Sequence, residues 1–177
     1  MSQHIESSSG FPPIAAADAR ILILGTLPGQ KSLGAAEYYA HRQNAFWRIM
    51  SALLGVKGEY ESRCKQLTLK GIAVWDVLAS SVRPGSMDAD IRLDSAEQND
   101  FAGFLAEHSG VTRIGFNGRR AEQLFRKLVI PELATPVPQL ISLPSTSPAY
   151  ASMSFDDKLD AWASKLELKP LTKKEEQ

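Results

Sequence analysis

The sequence holds a single cysteine, Cys64, among 177 residues. No disulfide can form within the chain, and a four-cysteine zinc or iron–sulfur site is excluded with it. A lone cysteine in this setting reads as a partly buried structural thiol and fits a reducing compartment. Charge of one sign is not in excess either: 20 Lys and Arg stand against 20 Asp and Glu. A protein that held nucleic acid by bulk electrostatics would be basic, so any such contact must come from a local patch. No run approaches the roughly 20 apolar residues of a membrane span. The first 20 residues lack the basic start and apolar core of a signal peptide, so the expected location is cytoplasmic. Internal repeats and low-complexity stretches are absent as well.

What remains is the composition of a globular domain, 44% apolar and 23% charged, at a length that suits one domain. Residues 1–19 read as a flexible lead-in, 20–168 as the domain, and 169–177 as a polar tail. Short continuous apolar runs at 20–24, 71–75, 111–116 and 140–143 predict buried strands. Helical spacing predicts helices over 45–54, over 119–128 and over 155–166, the last preceded by Ser154. A further helix is expected from Asp94 or Ser95 to His108. Strands alternating with helices give an α/β fold, with a mostly parallel four-stranded sheet covered by helices on both faces. Ligands of such sheets sit beyond the C-terminal strand ends. The loops 25–29, 75–90, 117–119 and 144–150 are therefore expected at one site.

Four groups of residues on those loops can carry chemistry. The first is Gly25-Thr26-Leu27-Pro28-Gly29, followed by Tyr38, Tyr39, His41 and Asn44-Ala-Phe-Trp47. Glycines allow close backbone approach to a ligand, and Pro28 stiffens the turn. One of the two tyrosines reads as core, the other as a stacking surface for a base. Asn44 is placed to cap the next helix or to orient a water, and the two roles are compatible. The second group is Pro144-Ser145-Thr146-Ser147-Pro148-Ala149-Tyr150, small hydroxyls beside prolines, which suits phosphate contacts and a rigid wedge. Asp76 with Arg83 and Ser86-Met-Asp88 forms the third, either a structural ion pair or part of a pocket wall. Asn117-Gly118-Arg119-Arg120 is the fourth, a turn first and a phosphate site second.

Taken in this order the motifs resemble the uracil-DNA glycosylase superfamily. Gly25-Thr-Leu-Pro-Gly29 and His41-Arg-Gln-Asn-Ala-Phe-Trp47 are similar to the G-I-N-P-G and H-P-x-N-x-F-W segments of the mismatch-specific uracil/thymine glycosylases. Leu143-Pro-Ser-Thr-Ser-Pro148 is similar to that family's minor-groove loop. Leu27 departs from the pattern, because the mismatch-specific enzymes carry their water-positioning Asn there. The Thr-Leu-Pro-Gly version, with Trp75-Asp-Val-Leu78 and Arg83-Pro-Gly-Ser-Met-Asp88, resembles the deoxyinosine (hypoxanthine) glycosylase branch. That resemblance implies a three-layer α/β/α sandwich and makes Asn44 the catalytic amide.

Each residue then has an expected place. Asn44 positions a water. Gly25, Thr26, Leu27, Pro28, Gly29, Tyr39, Asp76 and Asn117 hold a flipped base. Arg83, Ser145, Thr146, Ser147, Pro148 and Tyr150 contact DNA. No metal and no cofactor is expected, and damaged DNA is the partner of a monomer. The expected activity is monofunctional, because no lysine suited to Schiff-base chemistry falls on these loops; Lys31 is the nearest. A mismatch-type uracil glycosylase, a non-catalytic damaged-base module and a free-nucleoside hydrolase are the alternatives.

Overall fold

The computed structural model describes residues 7–134 and 136–172. In chain order its elements are β1 (Ser7–Ser9), β2 (Ile21–Gly25), α1 (Gln30–Ala35), α2 (Phe46–Leu54), α3 (Tyr60–Leu69), β3 (Ile72–Asp76) and β4 (Leu78–Val82). They continue with β5 (Glu97–Gln98), α4 (Phe101–Glu107), β6 (Arg113–Asn117), α5 (Arg119–Leu124), β7 (Gln139–Leu143) and α6 (Phe155–Lys165). The four expected strands are β2, β3, β6 and β7. They form one parallel sheet in the order β3-β2-β6-β7, flanked by helices. This is the α/β architecture anticipated from the alternating pattern.

Burial explains the continuous apolar runs. Every residue of β2 and β3 is buried, so neither strand has a polar face to alternate with. Helix α2 covers this core with Phe46, Trp47, Ile49, Met50 and Leu53, and ends at Gly55 in the left-handed region. Helix α6 starts at Ser154, whose side chain accepts from the Asp157 amide while Asp157 reaches back to the Ser154 amide. That reciprocal pair is a capping box.

Several expectations fail in detail. The helix expected from Asp94 or Ser95 begins at Phe101, capped by Asp100, which accepts from Gly103 N. Ser95 is diverted: its Oγ accepts from Val82 N at 3.0 Å and ties the preceding turn to β4. A second, antiparallel sheet, β1-β4-β5, lies outside the expected architecture. It draws in the lead-in, for Ser7–Ser9 pair with Ser80–Val82 and Ile14 bridges Val74. The helices α1 and α3 are likewise additions to it. In α3 only Leu67 is fully buried, so its sequence carries almost no amphipathic signal. At the other end, Leu171 N donates to Ala52 O, while 173–177 of the expected tail lie outside the described residues.

Candidate active site

The C-terminal ends of β2, β3, β6 and β7 open into a cavity of about 500 Å³. That is within the size range of small-molecule sites. Its lining includes Asn44, all eight residues expected at the base and all six expected on DNA. Lining a cavity and facing a ligand are different things, and hydrogen bonding separates them.

The 25–29 loop is held by its carbonyls. Val77 N donates to Gly25 O, Leu78 N to Thr26 O, and Leu33 N to Gly29 O. Arg83 takes the last two, Leu27 O at 3.2 Å and Pro28 O. The amides of Thr26 and Leu27 find no acceptor among the described residues. A turn whose carbonyls are all engaged and whose N–H groups are free is a donor surface. The Leu27 side chain is buried, with its Cδ1 close to Gly10, so only its backbone can serve a ligand. Gly25 has no room for a side chain. A Cβ there would stand 2.5 Å from Asp76 Oδ1 and 3.1 Å from the Tyr39 hydroxyl.

Of the two tyrosines, Tyr38 is the core residue. Its hydroxyl donates to the Phe11 and Pro12 carbonyls, and its carbonyl accepts from Trp47 Nε1. Tyr39 stacks on Phe46 with centroids 4.2 Å apart, and its backbone is left-handed, with φ 56°. That conformation is uncommon for a bulky residue and tends to persist where the surroundings enforce it. Its hydroxyl is buried beside the Asn117 side chain, with no hydrogen bond of good geometry among the described residues.

Asn44 is anchored at the start of α2 and also lines the cavity. Its Oδ1 accepts from Phe46 N at 2.9 Å, fixing the carboxamide at the start of α2. The amide nitrogen has no partner among the described residues and the side chain lines the cavity. The next residue joins the two motif loops directly, with Ala45 N donating to Thr146 O at 2.9 Å.

Three residues expected at the ligand make structural contacts within the protein. Asn117 and Thr146 are locked together: Asn117 Nδ2 donates to Thr146 Oγ1 at 2.8 Å and Thr146 N donates to Asn117 Oδ1 at 2.9 Å. With both groups of the carboxamide engaged and Thr146 only 1% exposed, the pair clamps the 144–150 loop. Arg83 is 3% exposed. Its guanidinium holds the 25–29 loop, lies 4.0 Å from Asp88, and is not free to meet a phosphate. Arg119 and Arg120 stand outside the cavity lining. Gly118, at φ 96°, lies against Ser145, where a Cβ would meet Ser145 Cβ at 3.1 Å.

The outer part of the 144–150 loop is exposed. Pro148, Ala149 and Tyr150 face solvent, and the loop is braced from behind by Trp162 Nε1 on Pro144 O and by Lys158 Nζ on Ser147 O. The loop after Arg83 adds Ser86, Met87 and Asp88 to the cavity wall; Asp88 accepts from Thr26 Oγ1 at 2.6 Å. Met87 is 53% exposed, an apolar side chain on the rim to which the motifs assign no role. Beside the main cavity a second hollow of about 560 Å³ is lined by Lys31, Ala40, His41, Arg42 and Gln43. Two cationic side chains, Lys31 and Arg42, stand in that lining.

Asp76 ends β3 and is fully buried at the cavity wall. Desolvation pushes its carboxyl up to about 7; Asp88 adds to the rise and Arg83 opposes it. Its Oδ2 has no hydrogen-bond partner among the described residues.

Comparison with known proteins agrees with the motifs. The sequence model of the Uracil DNA glycosylase superfamily matches residues 12–167. A hypoxanthine DNA glycosylase from Methanosarcina acetivorans is 36% identical over 115 residues, which cover 63% of this chain and 72% of that protein. Its counterpart from Methanosarcina barkeri is 33% identical over the same shares. The solution NMR structure of a candidate uracil DNA glycosylase from M. acetivorans superimposes with a TM-score of 0.72 at 32% identity. That match covers 89% of this chain and 96% of the other.

Proposed function

This chain belongs to the uracil DNA glycosylase superfamily, and from that premise we propose that it hydrolyses the N-glycosidic bond of a deaminated base everted from DNA, with hypoxanthine the preferred base. The observation that carries the proposal is the union of Asn44 and the 144–150 loop at one cavity. A carboxamide fixed by the Phe46 amide stands one residue from a hydrogen bond to the loop that would enter the duplex.

Each part of the reaction then has a residue. The Asn44 carboxamide orients the attacking water at the anomeric carbon; anchoring it beforehand removes the cost of ordering it during the reaction. The free amides of Thr26 and Leu27 donate to the polar edge of the base. Tyr39 offers the ring face that Phe46 does not cover. Ser145 and Ser147 lie at the phosphates, and Pro148 and Tyr150 fill the space the base vacates. Lys31, Arg42 and His41 bind the backbone beside the lesion. Water is the nucleophile, so the product is an abasic site in an unbroken strand.

A panel of duplexes carrying deoxyinosine, deoxyuridine or deoxyxanthosine, followed by hot alkali, tests this. Alkali-dependent cleavage at deoxyinosine, together with free hypoxanthine, is expected. Replacement Asn44→Ala should lower the single-turnover rate by about 10² or more, the scale for losing one positioned polar group. The variant Asn44→Asp keeps an acceptor for Phe46 N and so separates loss of the cap from loss of the amide. Full activity in Asn44→Ala would remove Asn44 from the mechanism.

A further inference from the structure

We propose that Asp76 donates a proton to the departing base, passing it to ring atom N7 of a purine as the glycosidic bond breaks. This rests on the glycosylase reading above and deepens it.

Asp76 stands out by what it lacks. Strand β3 runs through four apolar residues into a carboxylate, and all five positions are buried. The Asp76 backbone is fixed, because its carbonyl accepts from Asn99 Nδ2 at 2.9 Å. The carboxyl itself receives no such support. Its Oδ2 is buried with no hydrogen-bond partner among the described residues. The cation best placed to balance it, Arg83, directs its terminal nitrogens to the Leu27 and Pro28 carbonyls and to Asp88, and makes no hydrogen bond to Asp76. Among the described residues the Tyr39 hydroxyl and Arg83 Nε at this wall are likewise unpartnered, and the space that Gly25 leaves by having no side chain is bordered by Asp76 Oδ1 and the Tyr39 hydroxyl.

A buried carboxylate without donors is costly as an anion, so it keeps its proton. The groups that face it are Asp88, which disfavours ionisation, Arg83, which favours it, and the phenols of Tyr39 and Tyr38. Burial holds both phenols well above the ordinary range, so neither carries charge. The net result is an acid that is substantially protonated near neutral pH.

A neutral carboxyl is a donor, and a 6-oxopurine presents acceptors at N7 and O6 on one edge. As the C1′–N9 bond breaks, its electron pair passes to N9. The proton from Asp76 arrives at N7, and hypoxanthine leaves neutral instead of as an anion. The water held by Asn44 adds its oxygen to C1′ and gives a proton back to the Asp76 carboxylate. One water is consumed and the acid is restored. Proton donation of this kind contributes typically about 10²–10⁴ in rate.

Single-turnover excision from pH 5 to 9 tests the proposal in the full-length protein. On duplex deoxyinosine, the wild type should fall about tenfold per pH unit above 7. Replacement Asp76→Asn preserves shape and hydrogen bonding but has no proton to transfer. It should be slower by about 10² or more at pH 6, with no descending limb near 7. The second measurement needs no variant: 7-deaza-2′-deoxyinosine, in which N7 is a carbon, should slow the wild type to the level of Asp76→Asn and slow that variant no further. A descending limb retained in Asp76→Asn, or wild-type speed on the 7-deaza substrate, would overturn the assignment while leaving the glycosylase reading intact. A wild type that releases no hypoxanthine at any pH would overturn both.

Discussion

At Asp76, ionisation and folding are opposed. The carboxyl is held at about 7 in the folded chain against an ordinary 3.8. Below about pH 4 both states carry the proton and the residue is neutral in the balance. Between 4 and 7 the unfolded chain gives its proton up first, so stability falls as pH rises through that window and levels off above it. Asp76→Asn removes the opposition. It should raise stability at pH 8 by up to about 4 kcal/mol, from three units at 1.36 each, and flatten the melting temperature against pH. Thermal unfolding at pH 5 and pH 8 reads this directly, and equal wild-type and variant slopes would refute it. Gly25→Ala makes the reverse change, forcing a methyl group against the Asp76 and Tyr39 oxygens. Overpacking of this kind costs about 1–3 kcal/mol, and chemical denaturation should register it alongside a loss of excision. That Gly25, Tyr39, Asn44 and Asp76 gather at one cavity was legible in the sequence, because Gly25 and Asp76 end apolar strands and Tyr39 and Asn44 precede a helix in the same motif. The tasks of Arg83, Asn117 and Thr146 were not. A sequence names donors and acceptors, but only the fold says which of them find each other.

Hydrogen bonds from neighbouring elements hold the loops at the cavity. Asn117 at the end of β6 clamps the loop after β7 through Thr146. Thr146→Val keeps the shape but leaves the Asn117 amide without its acceptor, a loss of about 1–3 kcal/mol for a buried group. Faster amide exchange confined to 144–150 is the expected signature; unchanged protection there would mean the loop is held elsewhere. The strands of the central sheet were readable because burial on both sides makes them unbroken apolar runs. The second sheet was not, since β1 is three serines and β5 is Glu97-Gln98, and neither carries a hydrophobic pattern. The start of helix α4 was hidden for a similar reason: serine and aspartate residues compete for caps, and Asp100 wins because Ser95 is drawn to β4.

Across the whole molecule, a net charge of zero means that DNA is held by placement and not by bulk attraction. The exposed cations beside the cavity are Lys31 and Arg42. Replacing either with Ala should lower the slope of log affinity against log salt by about 0.9 for each phosphate no longer neutralised, read by titration of an abasic duplex. An unchanged slope in both variants would place the phosphate-binding cations on another face. The rim carries two exposed apolar side chains, Met87 at 53% and Tyr150 at 40%. Side chains of this kind are useful for opening a base stack. Their replacement by Ala should therefore slow excision from duplex more than from single strands, and equal losses on both would remove them from that role.

The bond from Ala45 N to Thr146 O has a mechanical consequence. It joins the residue after Asn44 to the 144–150 loop through one peptide unit. Under the proposed mechanism, a displacement of that loop by the helix would be felt at the carboxamide. A free nucleoside, too short to push on that lever, would meet the same cavity out of gear.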